Sequence, residues 1–154
     1  MKYISFVVPC FNSEKYMEKC IDSLLMCGDD VEIIIVNDGS TDKTAEIAKN
    51  YLKNNSNIKF IDKENGGHGS GINAGLKICE GLYFKCVDSD DWIDFDAYKK
   101  LIKAIKDNYN KNTNPDLYLT NYNYERIDMN KSFCEDYLRK LVPHDCIFGW
   151  DKVK

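Results

Sequence analysis

Four carboxylates follow an apolar run in the stretch CVDSDDWID, residues 86–94: Asp88, Asp90, Asp91 and Asp94. Like charges this close repel one another, so their clustering needs a compensating partner or free access to water. Hard divalent cations such as Mg²⁺ or Mn²⁺ bind carboxylate oxygens and complete their shell with water and phosphate oxygens. One hypothesis is therefore that Asp88 and Asp90, two positions apart, face such a cation.

A plain alternative for the same stretch is a solvated turn that leads into a helix. Aspartate is common in turns and at helix N-caps, and Asp94 is placed to cap a helix that begins near Phe95. We favour this capping role for Asp94 itself. A calcium loop of the EF-hand type is excluded, because Ile93 stands where that loop needs glycine and Lys99 where it needs glutamate.

The glycine-rich segment ENGGHGSGINAG, residues 64–75, resembles two kinds of phosphate-binding loop. Gly66 and Gly71 have P-loop spacing, but Ile72 follows where lysine is required, which excludes a P-loop. The pattern GxGxxA, starting at Gly69, matches a dinucleotide-binding fold, although a seven-residue loop separates it from the preceding strand. An NAD-type domain therefore stays as a weak alternative, and many of the glycines need only permit tight turns and close helix packing.

A third polar cluster, NDGSTD at residues 37–42, has turn chemistry, and Thr41 or Asp42 can cap the following helix. Asp38 comes one residue after a fully apolar run. There its carboxylate could accept hydrogen bonds from the imide and hydroxyl groups of a nucleoside. Phe11 is either a core aromatic residue or a face on which a base stacks.

Short apolar runs alternate with helical patterns along the chain. The runs predict strands over 4–8, 31–36, 58–61 and 82–87, and the periodic segments predict helices within 13–28 and over 44–52, 73–79 and 95–105. A partly alternating segment, residues 116–125, predicts a fifth strand. This order indicates an α/β fold with a mostly parallel sheet and helices on both faces, in three α/β/α layers.

The polar clusters all follow predicted strands. PCFN, NDGSTD, ENGG and DSDDW come after strands one to four in turn. Ligands of parallel sheets bind beyond the carboxyl ends of the strands. We therefore expect four strand ends to bring polar or acidic groups to one rim.

In this order, VVPCFN, VNDGSTD, ENGGHGSGINAG and VDSDDW resemble the nucleotide-binding half of the family 2 glycosyltransferases, which have the Rossmann-like GT-A fold. The resemblance covers residues 3–105 well and the rest loosely. It implies a hexosyltransferase-type enzyme of cell-surface polysaccharide or glycan synthesis that uses Mn²⁺ or Mg²⁺. The donor would be a nucleotide diphosphate sugar, most often UDP-linked. The acceptor would be a hydroxyl of a glycan or lipid-linked molecule, with inversion at the sugar.

The same resemblance implies roles for residues of the base pocket. Pro9 and Phe11 would line this pocket, and Asp38 would bind the nucleobase. Ile72 departs from the pattern, because many relatives have an arginine near the donor phosphates at that position, so the contacts with the diphosphate differ here.

The resemblance also divides the acidic cluster by role. Asp88 would bind the ribose or the sugar, Asp90 would bind the metal, and Asp91 would support the site or bind the donor sugar. The catalytic base is not assigned to a residue of this sequence. The last seven residues, FGWDKVK, are similar to the segment W-x-K-L that tends to precede that base in the family. We expect the base beyond Lys154, so that residues 1–154 form one GT-A domain, incomplete at its C-terminus. Less favoured candidates are Glu135 and Asp136.

Composition narrows the remaining classes. A net charge of −4 and dispersed lysines argue against a nucleic-acid partner, and the sequence has no apolar segment long enough for a membrane span. We expect a cytoplasmic chain, with a peripheral position at the inner face of the membrane open for the full-length protein. The seven cysteines contain no CxxC pair and there are two histidines, so we predict reduced thiols and no structural zinc site. Besides the NAD-type domain, a non-catalytic nucleotide-binding or structural domain is the other alternative.

Overall fold

The computed structural model describes residues 1–126, 129, 131–135, 142–143 and 146–149. The chain divides into two compact units, Met1–Asp107 and Asn108–Lys154. The expectation of one domain over residues 1–154 stays a prediction. Asp136 and the segment 150–154, which the sequence interpretation used, lie outside the described residues.

Four parallel strands form the sheet of the first unit, in the order β3-β2-β1-β4. Their bounds are β1 Ile4–Cys10, β2 Val31–Asp38, β3 Ile58–Lys63 and β4 Tyr83–Cys86. Between and after them come the helices α1 Met17–Leu25, α2 Thr44–Asn54, α3 His68–Leu76 and α4 Phe95–Asn110, with a short 3₁₀ turn at Gly28–Asp30. The predicted mostly parallel α/β sheet is confirmed.

Strands β1 and β2 are buried along their whole length, as their continuous apolar runs predict. On one face of the sheet, Val7, Ile34 and Val36 form a cluster against which Ala74 of α3 packs. Side chains alternate across a strand, so Phe6 and its neighbours of the same parity point to the opposite face. There α1 and α2 lie side by side, joined by a hydrogen bond from the Tyr51 hydroxyl to Asp22.

Helix α3 lies unusually close to strand β1. A Cβ atom added at Gly75 would stand 2.4 Å from a methyl carbon of Val7, nearer than real Cβ contacts come. Glycine at this position therefore lets the helix approach the strand, which is the packing role expected of part of the glycine-rich segment.

A buried carboxylate fixes the connection from α3 to β4. Glu32 accepts hydrogen bonds from the Ser5 hydroxyl and from the backbone N–H groups of Glu80 and Gly81, and it pairs with Lys59 at 2.7 Å. Burial by itself raises the pKa of Glu32, but the Lys59 and Ser5 contacts outweigh it and hold this pKa below its ordinary value.

Several predicted boundaries were wrong. Helix α3 begins at His68 instead of residue 73, because Gly67, with φ +85°, lets the chain turn directly into the helix. Ser13 has a side chain that could cap the helix predicted within 13–28, but α1 begins only at Met17 and has no side-chain cap. The predicted fifth strand is β5, Tyr122–Arg126. It pairs antiparallel with β6, Lys131–Glu135, in a separate two-stranded sheet. Within the described residues, no helix has the length and apolar character to cross a membrane.

Candidate functional site

A cleft of about 350 Å³ opens beyond the carboxyl ends of β1 and β2. Its lining comes from the last residues of β1 and β2, from Phe11 after β1 and from the segment between β3 and α3: Pro9, Cys10, Phe11, Asp38, Asn65, Gly67 and His68. The position agrees with the general rule that parallel sheets bind ligands at this edge. Two of the predicted polar clusters and the glycine-rich segment therefore meet at one cleft.

Hydrogen bonds between loops hold the rim of the cleft together. The Asn12 backbone N–H donates to the Ser40 hydroxyl at 3.0 Å, and the Thr41 N–H donates to the Asn12 side-chain oxygen at 2.9 Å. The hydroxyls of Ser13 and Ser89 share a further hydrogen bond of 2.8 Å. The segments after β1, β2 and β4 are thus tied to one another before any ligand arrives.

The turn after β2 requires glycine. Gly39 has φ +72°, and a Cβ atom there would stand 2.6 Å from the backbone nitrogen of Asn65. A side chain would both strain the backbone and push away the loop that lines the cleft. This glycine therefore brings the segments after β2 and β3 into contact.

Asp38 lies at the cleft with only 3% of its surface exposed. Its Oδ1 atom forms an ion pair with Lys63 and accepts a hydrogen bond of 3.0 Å from the Gly66 N–H. Burial raises the pKa of Asp38, but the Lys63 and Gly66 contacts outweigh it, so this pKa lies below its ordinary value. Asp38 is consequently a fixed, ionised hydrogen-bond acceptor.

Phe11 is 54% exposed, so the core alternative for this residue was wrong. Its ring and the buried Pro9 both contribute to the lining of the cleft. An exposed aromatic ring beside a buried carboxylate can stack on a flat, hydrogen-bonding ring such as a nucleobase. The three residues predicted for a base pocket are therefore brought together.

The aspartates after β4 have a different environment from Asp38. Asp88, Asp90 and Asp91 are all exposed, and the Asp91 N–H closes a turn onto the Asp88 carbonyl at 2.9 Å. Burial, then the charges of Asp90 and Asp88, raise the pKa of Asp91 above its ordinary value. Asp94 accepts a hydrogen bond of 2.7 Å from the Ala97 N–H, which confirms its predicted cap on α4.

The backbone of this acidic turn is anchored to α1. The Cys20 thiol donates to the Asp88 carbonyl at 3.5 Å, and the Ile93 N–H donates to the Ser23 hydroxyl at 3.1 Å. The Lys19 ammonium lies 3.0 Å from the centre of the Trp92 ring. The chain thus holds three mutually repelling carboxylates in place, an arrangement that suits a multivalent cation.

The sequence interpretation missed one grouping around Asp88. His68 Nε2 lies 2.9 Å from Asp88 Oδ1, and the Cys86 thiol donates to the same oxygen at 3.9 Å. Within the described part of the chain, these three side chains form the group whose donor atoms are close enough to share a metal ion, whereas Asp90 lies outside it. The i, i+2 spacing of Cys86 and Asp88 at the end of a strand was a usable signal, but the placement of His68 depends on the early start of α3.

The sequence profile of glycosyl transferase family 2 matches residues 5–148. The chain belongs to this family. One relative, the uncharacterized glycosyltransferase EpsJ of Bacillus subtilis, is 41% identical over 106 residues, which make up 68% of this chain and 31% of EpsJ. The glycosyltransferase GlyA of Streptococcus pneumoniae is 35% identical over 166 residues, covering 97% of this chain and 24% of GlyA.

A solved structure gives the same result for the fold. S. aureus TarS 1–349 in complex with UDP is 36% identical, with a TM-score of 0.62, over 71% of this chain and 33% of the TarS chain. This match confirms the Rossmann-like GT-A fold class. This family 2 chain spans about a third or less of the length of these three proteins.

Proposed function

We propose that this chain binds a UDP-linked sugar as the donor substrate of a hexosyltransferase-type enzyme. The enzyme would transfer the sugar, with inversion, to a hydroxyl of a glycan or lipid-linked acceptor. One observation carries the proposal: a buried, ionised acceptor and an exposed acidic turn lie at the carboxyl ends of the two strands that flank β1. Neighbouring strands lie about 4.8 Å apart, so these two strand ends are separated by about 10 Å. That distance suits a nucleoside at one end and its diphosphate at the other.

The β2 end supplies the recognition of the base. A uracil ring stacked on Phe11 would place its imide N–H within reach of the Asp38 carboxylate, which is ionised and held by Lys63. Pro9 closes the apolar side of the same pocket. The UDP complex of TarS, at 36% identity, supports uridine as the nucleoside.

The β4 end supplies the charge for the diphosphate. Its carboxylates fit a hard cation, Mn²⁺ or Mg²⁺, because they are exposed and closely spaced, and the charges of Asp90 and Asp88 help burial to raise the pKa of Asp91. Asp90 would hold the cation, Asp88 would contact the ribose or the sugar, and Asp91 would support them or bind the donor sugar. When bound, the cation supplies neutralisation of the charge that develops on the departing diphosphate.

We propose that the carboxylate base that deprotonates the acceptor lies beyond Lys154, and that residues 1–154 are the donor-binding part of one domain. The pathway we propose is cell-surface polysaccharide or glycan synthesis. A cytoplasmic position, peripheral to the inner face of the membrane, would give access to a lipid-linked acceptor.

Titration calorimetry of UDP into the chain tests the proposal, with and without Mn²⁺ and with GDP and NAD as comparison ligands. We expect UDP binding that depends on Mn²⁺ and weakens at least about tenfold, or ~1.4 kcal/mol, in Asp90→Asn. The matched control is Asp96→Asn, which removes an exposed carboxylate on α4 and should leave UDP binding unchanged.

The outcomes separate the alternatives. Metal-independent binding of NAD would support the dinucleotide-binding interpretation instead. If neither UDP nor any other nucleotide binds, and a longer form of the protein also fails to bind, the chain has a structural role and the proposal is wrong.

A further inference from the structure

We propose that His68, Cys86 and Asp88 form a second metal site, selective for a borderline transition-metal ion such as Zn²⁺, and that its occupancy antagonises donor binding. The first part is independent of the proposed function. The second part rests on it, because it uses Asp88 as a donor contact.

The geometry of the three side chains suits one small ion. The donor atoms lie within 4.8 Å of one another, and both His68 Nε2 and Cys86 Sγ point to the same oxygen of Asp88, at 2.9 and 3.9 Å. Zinc bonds of about 2.0–2.3 Å in a tetrahedron require ligand atoms roughly 3.3–3.8 Å apart. The two distances to the Asp88 oxygen need adjustments of only a few tenths of an ångström, and the His68–Cys86 separation, which is at most 4.8 Å, needs at most about 1 Å.

The types of the donor atoms select the metal. An imidazole nitrogen, a thiol sulfur and a carboxylate oxygen are a ligand set for Zn²⁺ or its analogue Co²⁺, whereas Mg²⁺ and Mn²⁺ prefer oxygen ligands throughout. Three protein ligands leave one position open, and the side chains of His68 and Asp88 are 60% and 54% exposed. The open position therefore faces solvent, and binding would release the thiol proton to the buffer.

The fold presents the three ligands on one face of the sheet. Cys86 is paired in register with Val7, whose side chain points toward α3, and His68 is the first residue of that helix. The contact between Gly75 and Val7 sets the height of α3 above β1 and hence the position of its first residue relative to β4.

A nucleophilic role for the same residues is not supported. In a Cys-His-Asp triad the histidine stands between the other two groups and removes the thiol proton. Here both His68 and Cys86 contact the carboxylate instead. Burial also raises the pKa of Cys86 to about 11, so the thiol is protonated at neutral pH and unreactive without a metal.

The consequence for the donor follows from the shared residue. Asp88 cannot serve both a zinc ion and the ribose or sugar, and His68 belongs to the lining of the cleft. Zn²⁺ should therefore weaken binding of the donor, whereas Mn²⁺ should strengthen it.

Co²⁺ titration of the reduced chain, in buffer free of small thiols and of nucleotide, tests the site directly. We expect a near-ultraviolet band from thiolate-to-cobalt charge transfer that saturates at one equivalent and disappears when Zn²⁺ is added. Cys86→Ser should abolish this band. His68→Asn, at an exposed position that tolerates the change, should weaken Co²⁺ binding at least about tenfold.

The matched control is Cys134→Ser, which removes an exposed cysteine outside the proposed site and should keep the band. The proposal is overturned if no thiolate band forms, or if the band survives Cys86→Ser.

A second titration tests the antagonism. With Mn²⁺ present, one equivalent of Zn²⁺ should weaken UDP binding at least about tenfold in the parent chain and have little effect in Cys86→Ser. Unchanged UDP affinity despite a saturated Co²⁺ band would refute the competition. Absence of UDP binding in every form would instead count against the proposed function, and the Co²⁺ result would still decide the metal site.

Discussion

The ends of β2 and β4 both present aspartates to the ligand edge of the sheet, and they treat those aspartates in opposite ways. Asp38 is buried, paired with Lys63 and fixed by a backbone N–H, so its charge is balanced within the protein. Asp88, Asp90 and Asp91 are exposed, and the charges of Asp88 and Asp90 raise the pKa of Asp91. One end is complete before a ligand binds, and the other needs a cation to balance it.

This difference teaches how a single rim can separate two tasks. A neutral, flat group such as a base is recognised best by a fixed acceptor, because little ordering remains to be done on binding. A diphosphate brings negative charge of its own, so a protein that supplies carboxylates there must bind the ligand through a metal. Four experiments test whether the two ends are as different as their environments indicate.

The largest expected effect is on folding stability. Asp38→Ala leaves Lys63, whose side chain is 23% exposed, without its buried partner, and removal of one member of a buried ion pair costs up to about 3–5 kcal/mol. Urea unfolding should show this loss. The control variant Lys103→Gln breaks the exposed pair with Asp107 and should leave the midpoint nearly unchanged. A loss no larger than that of the control would mean that the β2 end is not preorganised by this pair.

Phe11 should separate binding from stability at the same end. The ring is largely exposed, so Phe11→Ala should hardly change the unfolding midpoint, whereas the loss of base stacking should weaken UDP binding by about 1–3 kcal/mol. Calorimetry and urea unfolding measure the two quantities. Tyr16→Ala, which removes another exposed aromatic ring, should change neither greatly. Equal UDP affinity in Phe11→Ala and the parent chain would show that the base does not stack on Phe11 in this cleft.

Acid should remove the stability that the buried carboxylates contribute to the folded chain. Asp38 and Glu32 have pKa values below their ordinary 3.8 and 4.5, so the unfolded chain binds more protons than the folded chain in that range. Their contribution to the free energy of unfolding is present above these ordinary values and is lost as the pH falls through the folded-state pKa. Unfolding measured from neutral pH down to about pH 3 should show this loss, and Glu32→Gln should make it shallower. An unchanged slope in Glu32→Gln would show that its pKa is not depressed.

The smallest effect should have the opposite sign. Because the pKa of Asp91 is raised, its charged form is disfavoured in the folded chain, and Asp91→Asn should stabilise the apo protein slightly, by less than about 1 kcal/mol. The gain should vanish below about pH 4, where Asp91 is protonated in both states. Thermal unfolding at neutral and acid pH checks this. A destabilised Asp91→Asn would show that the acidic turn needs this charge without a metal.

The sequence predicted well where one physical signal dominated. The uniformly apolar runs around Val7 and Ile34 specify buried parallel strands, and the order of strands and helices then places the polar clusters at one edge. Asp94 was predicted as a cap because aspartate is a preferred N-cap residue and stands directly before a periodic helical segment, and the structure confirms the cap.

Prediction failed where the outcome depends on contacts between distant segments. The start of α3 was predicted too late because glycine has a low helix propensity, so the glycine-rich residues before Asn73 did not indicate a helix. In the structure the helix begins directly after Gly67. The partners of the site carboxylates, Lys63 for Asp38 and His68 for Asp88, are 25 and 20 positions away along the chain. No local pattern encodes such pairings, so the roles of the individual residues stay predictions although the fold is confirmed.

The absence of a side chain at Gly75 determines the position of α3, and with it the position of one wall of the cleft. Since α3 rests on Val7 at this point, any added side chain would lift the C-terminal end of the helix and tilt it like a lever. His68, at the other end of the same nine-residue helix, would then swing relative to β4. The distance between His68 in the wall of the cleft and the aspartates after β4 therefore depends on Gly75, which does not line the cleft itself.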